Sequence, residues 1–255
     1  MADQAVLTEA DGGVLLITLN RPDARNAVNA ALASGVAEAL DRLDDDDDLK
    51  VGILTGAGKG FSAGMDLKAF VAGESAFVEH RGFAGIVQRP PLKPLIAAIE
   101  GFAVAGGFEI ALACDLIVAA RDARLGIPEV KRSLVAAGGA LLRLPRRMPY
   151  HLAMELALTG DPISAERGAE VGLVNRVTEP GEAVAGAREL AASIAANGPL
   201  ALMASKRIVV EAPGWSEDEQ WQRQGDISGP VFVSEDAREG ATAFAEKRDP
   251  VWKGR

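Results

Sequence analysis

The sequence is poor in the side chains that usually announce disulfides or metal centres: 255 residues hold one cysteine, two histidines and one tyrosine. Cys114 alone rules out an internal disulfide framework, and its apolar helical surroundings mark it as an inert buried thiol. With only His80 and His151, a catalytic histidine for a serine nucleophile is poorly supplied, and each is expected as a surface or packing residue. Basic residues are also short, 27 Lys and Arg against 36 Asp and Glu. The resulting formal charge of -9 supplies no extended basic surface for nucleic acid or an anionic membrane. An anionic ligand must therefore meet a local basic cluster. No apolar run reaches membrane-span length, and Met1-Ala2-Asp3-Gln4 does not open a signal peptide, so a cytoplasmic protein is expected. Repeats and low-complexity linkers are absent. With 48% hydrophobic residues, the chain can bury a large core and still carry a smaller appendage.

Two glycine-rich turns organise what is present. The apolar run Pro94-Leu95-Ile96-Ala97-Ala98-Ile99 reads as a buried strand; Ala105-Gly106-Gly107 then lets the chain turn before helix-forming residues 108–113. Glycines allow close approach to the main chain, and the first turn of a helix leaves N–H groups and a partial positive charge facing outward. Glu109 falls in that first turn, so donors for a nascent anion sit beside a carboxylate able to move protons. That pairing points to carbonyl chemistry; a tight packing site with a capping glutamate is the alternative. The second turn follows the strand at residues 51–55 and runs from Gly56 through Gly60-Phe61-Ser62-Ala63-Gly64-Met65-Asp66-Leu67-Lys68. A dinucleotide fingerprint would need glycine at Phe61, and a P-loop would need Ser or Thr at Gly60. Gly60-Phe61-Ser62-Ala63-Gly64 matches a nucleophile elbow, although its serine lies several residues past the strand, which keeps a serine hydrolase as a minor reading.

Around these turns the pattern predicts an N-terminal hairpin across Asp11-Gly12-Gly13, with strands at residues 5–9 and 14–19, and a helix after Asn29 carrying Leu32, Val36, Leu40 and Leu43. The acidic run at residues 44–48 fails the EF-hand spacing at Leu49 and Thr55 and reads as a solvated loop. A helix is predicted at residues 74–88, stopped by Pro90-Pro91. A strand at 116–120 and an extended piece at 124–129 follow, the latter ending in Glu129, whose presentation Pro128 fixes. Helices are predicted at 138–144, 150–158 and 164–170, with a strand at 173–177. Everything from Gly181 reads as helical, broken near Gly198-Pro199, Pro213-Gly214 and Gly229-Pro230. The expected organisation is an α/β core over residues 1–190 and a helical region over 191–255.

Taken together, these segments resemble the crotonase superfamily of enoyl-CoA hydratases and isomerases. The resemblance rests on Leu19-Asn20-Arg21-Pro22, Asn26-Ala27, Ile53-Leu54-Thr55-Gly56, the two glycine-rich turns, Gly126-Ile127-Pro128-Glu129, Leu158-Thr159-Gly160 and Phe244-Ala245-Glu246-Lys247-Arg248, in that order along the chain. It implies a spiral of ββα units with a C-terminal helical region that forms trimers, commonly paired as hexamers. It also implies an oxyanion hole from the N–H groups of Met65 and Gly106, catalytic carboxylates at Glu109 and Glu129, and an acyl-CoA thioester substrate needing neither metal nor redox cofactor. Arg25, Lys59, Ala63, Lys68 and Lys247 are the implied substrate contacts, Lys247 reaching the nucleotide of a neighbouring subunit. The expected activity is hydration of a 2-trans-enoyl-CoA, with enoyl-CoA isomerase or another crotonase-type lyase as the alternative and a non-catalytic acyl-CoA binder as a second class. Ser133, Ala136 and Met65 depart from the usual hydratase pattern near the acyl pocket, which leaves the acyl preference open.

Overall fold

The computed structural model describes residues 4–255; Met1-Ala2-Asp3, the start of the stretch read as lacking a signal peptide, lies outside them. Strands β1 (Val6–Asp11) and β2 (Val14–Leu19) form the expected hairpin, with Gly12 and Gly13 both at positive φ in the turn. Helix α1 (Ala30–Asp45) is capped by Asn29, whose side chain accepts the Leu32 N–H at 3.1 Å. Next come β3 (Val51–Gly56) and the short α2 (Leu67–Val71), capped by Asp66.

The helix predicted at residues 74–88 is not formed. Two short paired strands, β4 (Phe77–Val78) and β5 (Gly82–Phe83), and a series of turns stand there instead. His80, Gly82, Ala84 and Gly85 all take positive φ, and a side chain at Gly85 would collide with the Ala33 carbonyl of α1. Phe83, Ile86 and Val87 are buried as a helical face would bury them, but through turns clamped onto α1, where the buried Arg81 pairs with Asp41. Tertiary packing has overridden the local helical pattern.

Beyond this segment run β6 (Leu95–Ile99), β7 (Phe102–Val104), α3 (Gly106–Ala113), β8 (Leu116–Ala120) and β9 (Arg124–Gly126). Glu129 lies on a single 3-10 turn, Pro128–Arg132, where an extended piece was expected. Helices α4 (Ala140–Arg147) and α5 (Tyr150–Thr159), strand β10 (Ile163–Ser164), helix α6 (Ala165–Glu170) and strand β11 (Arg176–Thr178) complete the core. The last strand begins later than predicted because the Leu173 and Val174 N–H groups both turn back to the Gly168 carbonyl.

The main sheet has the order β1-β2-β3-β6-β8-β11, parallel except for the hairpin, and a second sheet runs β10-β9-β7. The chain passes from the first sheet to the second at Gly101, whose φ is 55° and whose missing side chain makes room for the Lys59 carbonyl. β3 is buried on both faces. Val51 and Ile53 face a cluster with Ala183, Ala187 and Ala191 of α7 (Ala183–Ala195), while Leu54 joins the larger core containing α1 and α3. Residue 191 thus falls inside a helix that packs on the sheet. Helices α8 (Pro199–Glu211), α9 (Gln220–Phe232) and α10 (Glu235–Glu246) form the outer layer. Pro199 opens α8 and a 3-10 turn at Ala212–Gly214 ends it, but α9 continues through Pro230 where a break was predicted, and the residues after Lys247 are not helical. The tail is held by Asp236, which accepts the Lys253 and Gly254 N–H groups at 2.7 and 2.9 Å.

Candidate active site

The two glycine-rich turns abut. The loop after β3 is stitched to β7, the strand leading into α3, by a parallel bridge between Ser62 and Ala103, with the Val104 N–H on the Ser62 carbonyl at 3.1 Å. Gly64 takes φ +90°, and a Cβ there would lie 2.8 Å from the Gly106 nitrogen; one at Gly107 would collide with the Ser62 carbonyl. Only glycine permits this approach. Ala105, at φ 52° and ψ -133°, occupies a strained region that alanine rarely adopts, directly before the Gly106 N–H that opens α3. Among the described residues neither the Met65 N–H nor the Gly106 N–H has an acceptor. Two backbone donors, one from each turn, are left open beside a cavity of about 680 Å³ that both residues line.

A buried polar lattice holds the first turn. Asn26 donates to the Ala57 and Gly60 carbonyls, each at 2.9 Å, and accepts the Arg21 N–H at 2.9 Å. The Ser62 hydroxyl donates to the Asn26 carbonyl at 2.8 Å and accepts the Gly64 N–H at 3.2 Å. Ser62 is fully buried and its hydroxyl committed, while His80 and His151 are exposed and line no part of the cavity. The nucleophile-elbow reading fails on both counts. Sequence reasoning missed Asn26 as a site-building residue, although Asn26-Ala27 was among the matching segments.

Glu109 and Glu129 converge on the same cavity from α3 and from the turn after β9. Glu109 is 4% exposed and its Oε1 accepts the Ala140 N–H at 3.1 Å. Burial raises its pKa above the ordinary carboxylate range, opposed by the Ala140 and Gly138 N–H groups and the Arg143 charge. For Glu129, burial again raises the pKa; its own backbone N–H opposes this, and the Glu109 charge pushes it up further. Its Oε2 is buried without a hydrogen-bond partner. One carboxylate is supported in its ionised form, and the other is left bare beside it.

Arg25 and Ala63 also line the cavity, with Leu67, Phe77, Phe83, Leu134 and Val135 as its apolar wall. Lys68 stands exposed next to Leu67 in the first turn of α2, and Lys59 is exposed on the loop after β3; neither side chain lines the cavity. Lys247, at the exposed end of α10, is not brought to it within one chain. A larger hollow of about 780 Å³ lies between the core and α8–α9, but its carboxylates Asp115 and Glu211 are paired with Lys206 and Arg207 at 2.6 and 2.8 Å. Its carboxylates are thus held by cations, whereas Glu129 in the first cavity has a buried oxygen without a partner. No cluster of three or more His, Cys, Asp or Glu placed to hold a metal occurs among the described residues. Cys114 is buried, which pushes its thiol far above the ordinary range.

Open backbone donors for an oxyanion, flanked by two carboxylates of unlike environment, define an enzyme site for acyl chemistry. The enoyl-CoA hydratase/isomerase family model matches residues 9–255. Enoyl-CoA hydratase EchA19 of Mycobacterium tuberculosis is 44% identical, over 98% of this chain and 96% of its own. A carnitinyl-CoA dehydratase of Salmonella typhimurium is 44% identical over the full length of both. The crystal structure of enoyl-CoA hydratase EchA1 from Mycobacterium marinum superposes with a TM-score of 0.98 at 60% identity, covering 99% of this chain and 100% of that one. The chain belongs to the enoyl-CoA hydratase/isomerase family, in the crotonase superfamily, and has its fold.

Proposed function

We propose that the protein is an enoyl-CoA hydratase that adds water reversibly across the double bond of a 2-trans-enoyl-CoA to give a 3-hydroxyacyl-CoA. The thioester oxygen sits between the Met65 and Gly106 N–H groups, which stabilise the charge that develops as water adds. Removing one such donor in other enzymes costs ~10²–10³ in turnover. Glu109 takes a proton from water as the water oxygen bonds to C3. Glu129 gives its proton to C2, and the double-bond electrons pass through the enolate to form that C–H bond. The observation that carries this assignment is the unequal treatment of the two carboxylates: Glu109 has donors and a cation that favour its ionised form, whereas Glu129 has an unpartnered oxygen and a negative neighbour. An isomerase needs only one proton shuttle; two carboxylates in unlike surroundings suit hydration, which needs both a base and an acid.

Coenzyme A enters as part of the substrate, and the reaction runs on the chain's own groups without a further cofactor. Its phosphates meet Arg25, Lys59 and Lys68, with Lys247 supplied by a neighbouring subunit. That neighbour belongs to a homotrimer or a dimer of trimers, an assembly supported by exposed apolar side chains such as Val209, Trp221, Phe232 and Phe244 on the outer helices. Residues 191–255 contribute those contacts. The location is cytoplasmic; no helix among the described residues is long and apolar enough to cross a membrane. The apolar wall of Leu67, Phe77, Phe83, Leu134 and Val135 favours a hydrocarbon acyl group.

The test is to incubate the enzyme with a panel of 2-enoyl-CoA thioesters in oxygen-18 water. Label at C3 is the expected result; double-bond migration without label would replace hydration by isomerisation.

A further inference from the structure

We propose that Arg143 is a positioning residue for Glu109: its guanidinium ties the Gly138-Gly139 turn to the Val87 carbonyl and thereby fixes the backbone donors that hold the carboxylate. The proposal rests on Glu109 being the base that activates water.

Helix α4 starts directly after this turn and has no side chain capping its N-terminus. Its Ala140 N–H is spent on Glu109, and the Gly138 N–H faces the same carboxylate. Something else must therefore hold the turn. Arg143, in the first turn of α4, donates through Nη2 to the Val87 carbonyl at 2.5 Å and approaches the Gly138 carbonyl through Nη1 at 3.5 Å. Val87 lies on the turn-built segment that also carries Phe83, so the arginine links the carboxylate's holder to the cavity wall.

The two glycines make this arrangement possible. A Cβ at Gly138 would lie 2.8 Å from the Glu109 carboxyl carbon, and one at Gly139, whose φ is 103°, would run into the Arg143 guanidinium. The carboxylate and the guanidinium thus press on the same short stretch of backbone. Arg143 is in no ion pair with Asp or Glu among the described residues, which leaves its charge to act on Glu109 across the turn. The other charged and titratable groups are Glu129, Arg25 and Arg132 along the cavity, Arg147 one turn along α4, the thiol of Cys114 at the end of α3, and, in the hollow that Arg143 also lines, the pairs Asp115–Lys206 and Arg207–Glu211. Arg147 is engaged with the Leu112 and Cys114 carbonyls and leaves the Glu109 side to Arg143.

The sign follows. Glu109 must be ionised to accept a proton, so turnover falls as pH drops through its raised pKa. Arg143 opposes that rise, and removing its charge must move the acid limb to higher pH.

The experiment compares wild type, Arg143→Gln and Arg143→Lys in kcat and KM against pH. Glu109 ionisation is followed separately by infrared difference against Glu109→Gln, a readout that does not require turnover. For Arg143→Gln the expected result is a kcat loss of about 10–10²-fold, since small misplacement of a catalytic group costs that much. Its acid limb should rise by roughly one pH unit, with KM moving about threefold or less. Arg143→Lys keeps the charge but cannot span two carbonyls; its acid limb should return near wild type while kcat stays low. A glutamine enzyme that loses only thermal stability, keeping the wild-type kcat and acid limb, overturns the proposal. Should that variant not fold, a lysine enzyme with wild-type kcat overturns it. If wild type hydrates no enoyl-CoA, the functional reading fails instead, and an unshifted carboxyl titration in Arg143→Gln would then separately remove the link to Glu109.

Discussion

Replacing Glu109 by glutamine should stabilise the protein while removing its chemistry. The side chain is 4% exposed and its Oε1 takes the Ala140 N–H at 3.1 Å, a bond the glutamine carbonyl can keep with the same length and shape. What disappears is the buried negative charge, the ability to accept a proton and one acceptor oxygen beside the Gly138 N–H, the removal of the charge being the larger effect. Folding raises the carboxyl pKa, chiefly through burial, so the folded state binds a proton more readily than the unfolded chain. Ionised Glu109 consequently lowers stability at neutral pH, and that loss grows as pH climbs from the unfolded pKa through the folded one. Glu109→Gln should melt higher than wild type at pH 7, and the gap should close toward pH 4, where the carboxyl is protonated in both states. Hydration should fall by ~10²–10⁴, the usual worth of a general acid or base. Acyl-CoA binding should persist because the thioester oxygen meets backbone donors. Scanning calorimetry at two pH values, single-turnover hydration and product-analogue binding measure the three quantities. A variant that melts lower than wild type at pH 7, or hydrates within threefold of it, would refute the reasoning.

The remaining expectations are narrower. Glu109→Gln combined with Glu129→Gln should lose little more activity than the worse single variant, since the pair acts as one unit; additive losses in kcat would separate them. Gly64→Ala should cost ~10² or more in kcat, because the new Cβ would crowd the Gly106 nitrogen at 2.8 Å, and normal turnover by a folded variant would discount that donor. Lys59→Ala, Lys68→Ala and Lys247→Ala should each raise KM for full acyl-CoA before lowering kcat, with little effect on a substrate lacking the nucleotide; unchanged KM would make them ordinary surface charge. Light scattering should give a trimer or its multiple, and a fully active monomer would leave the exposed apolar face of the outer helices unexplained.

Local chemistry made much of this molecule legible beforehand. The hairpin at Gly12-Gly13, the Asn29 cap and the doubly buried β3 each follow from interactions within a few residues or from an apolar pattern. The turn at Ala105-Gly106-Gly107 was legible as the entry to α3, but the strand that feeds it is β7 of the second sheet, which the apolar pattern at residues 94–99 did not reveal. Residues 74–88 were misread because helical spacing records which side chains are buried, not how the backbone gets them there. Phe83, Ile86 and Val87 reach the core through positive-φ turns that only contact with α1 explains, and Gly82 and Gly85 were the local warning. Pro230 misled in the opposite direction, since α9 continues past it.

The site divides along the same line. Glu109 could be located from its place in the first turn of α3, but its holders could not, because Ala140 and Arg143 lie 31 and 34 residues away on another helix. Gly138-Gly139 gave the one local sign: adjacent glycines directly before a helix imply that something presses on the backbone there. The residues pressing on it from either side are Glu109 and Arg143. The proposed catalytic groups lie where local backbone geometry puts them, whereas the setting of their proton affinities depends on contacts between distant segments. Substitutions among those distant supports should therefore change the pH dependence of the reaction while leaving its products the same.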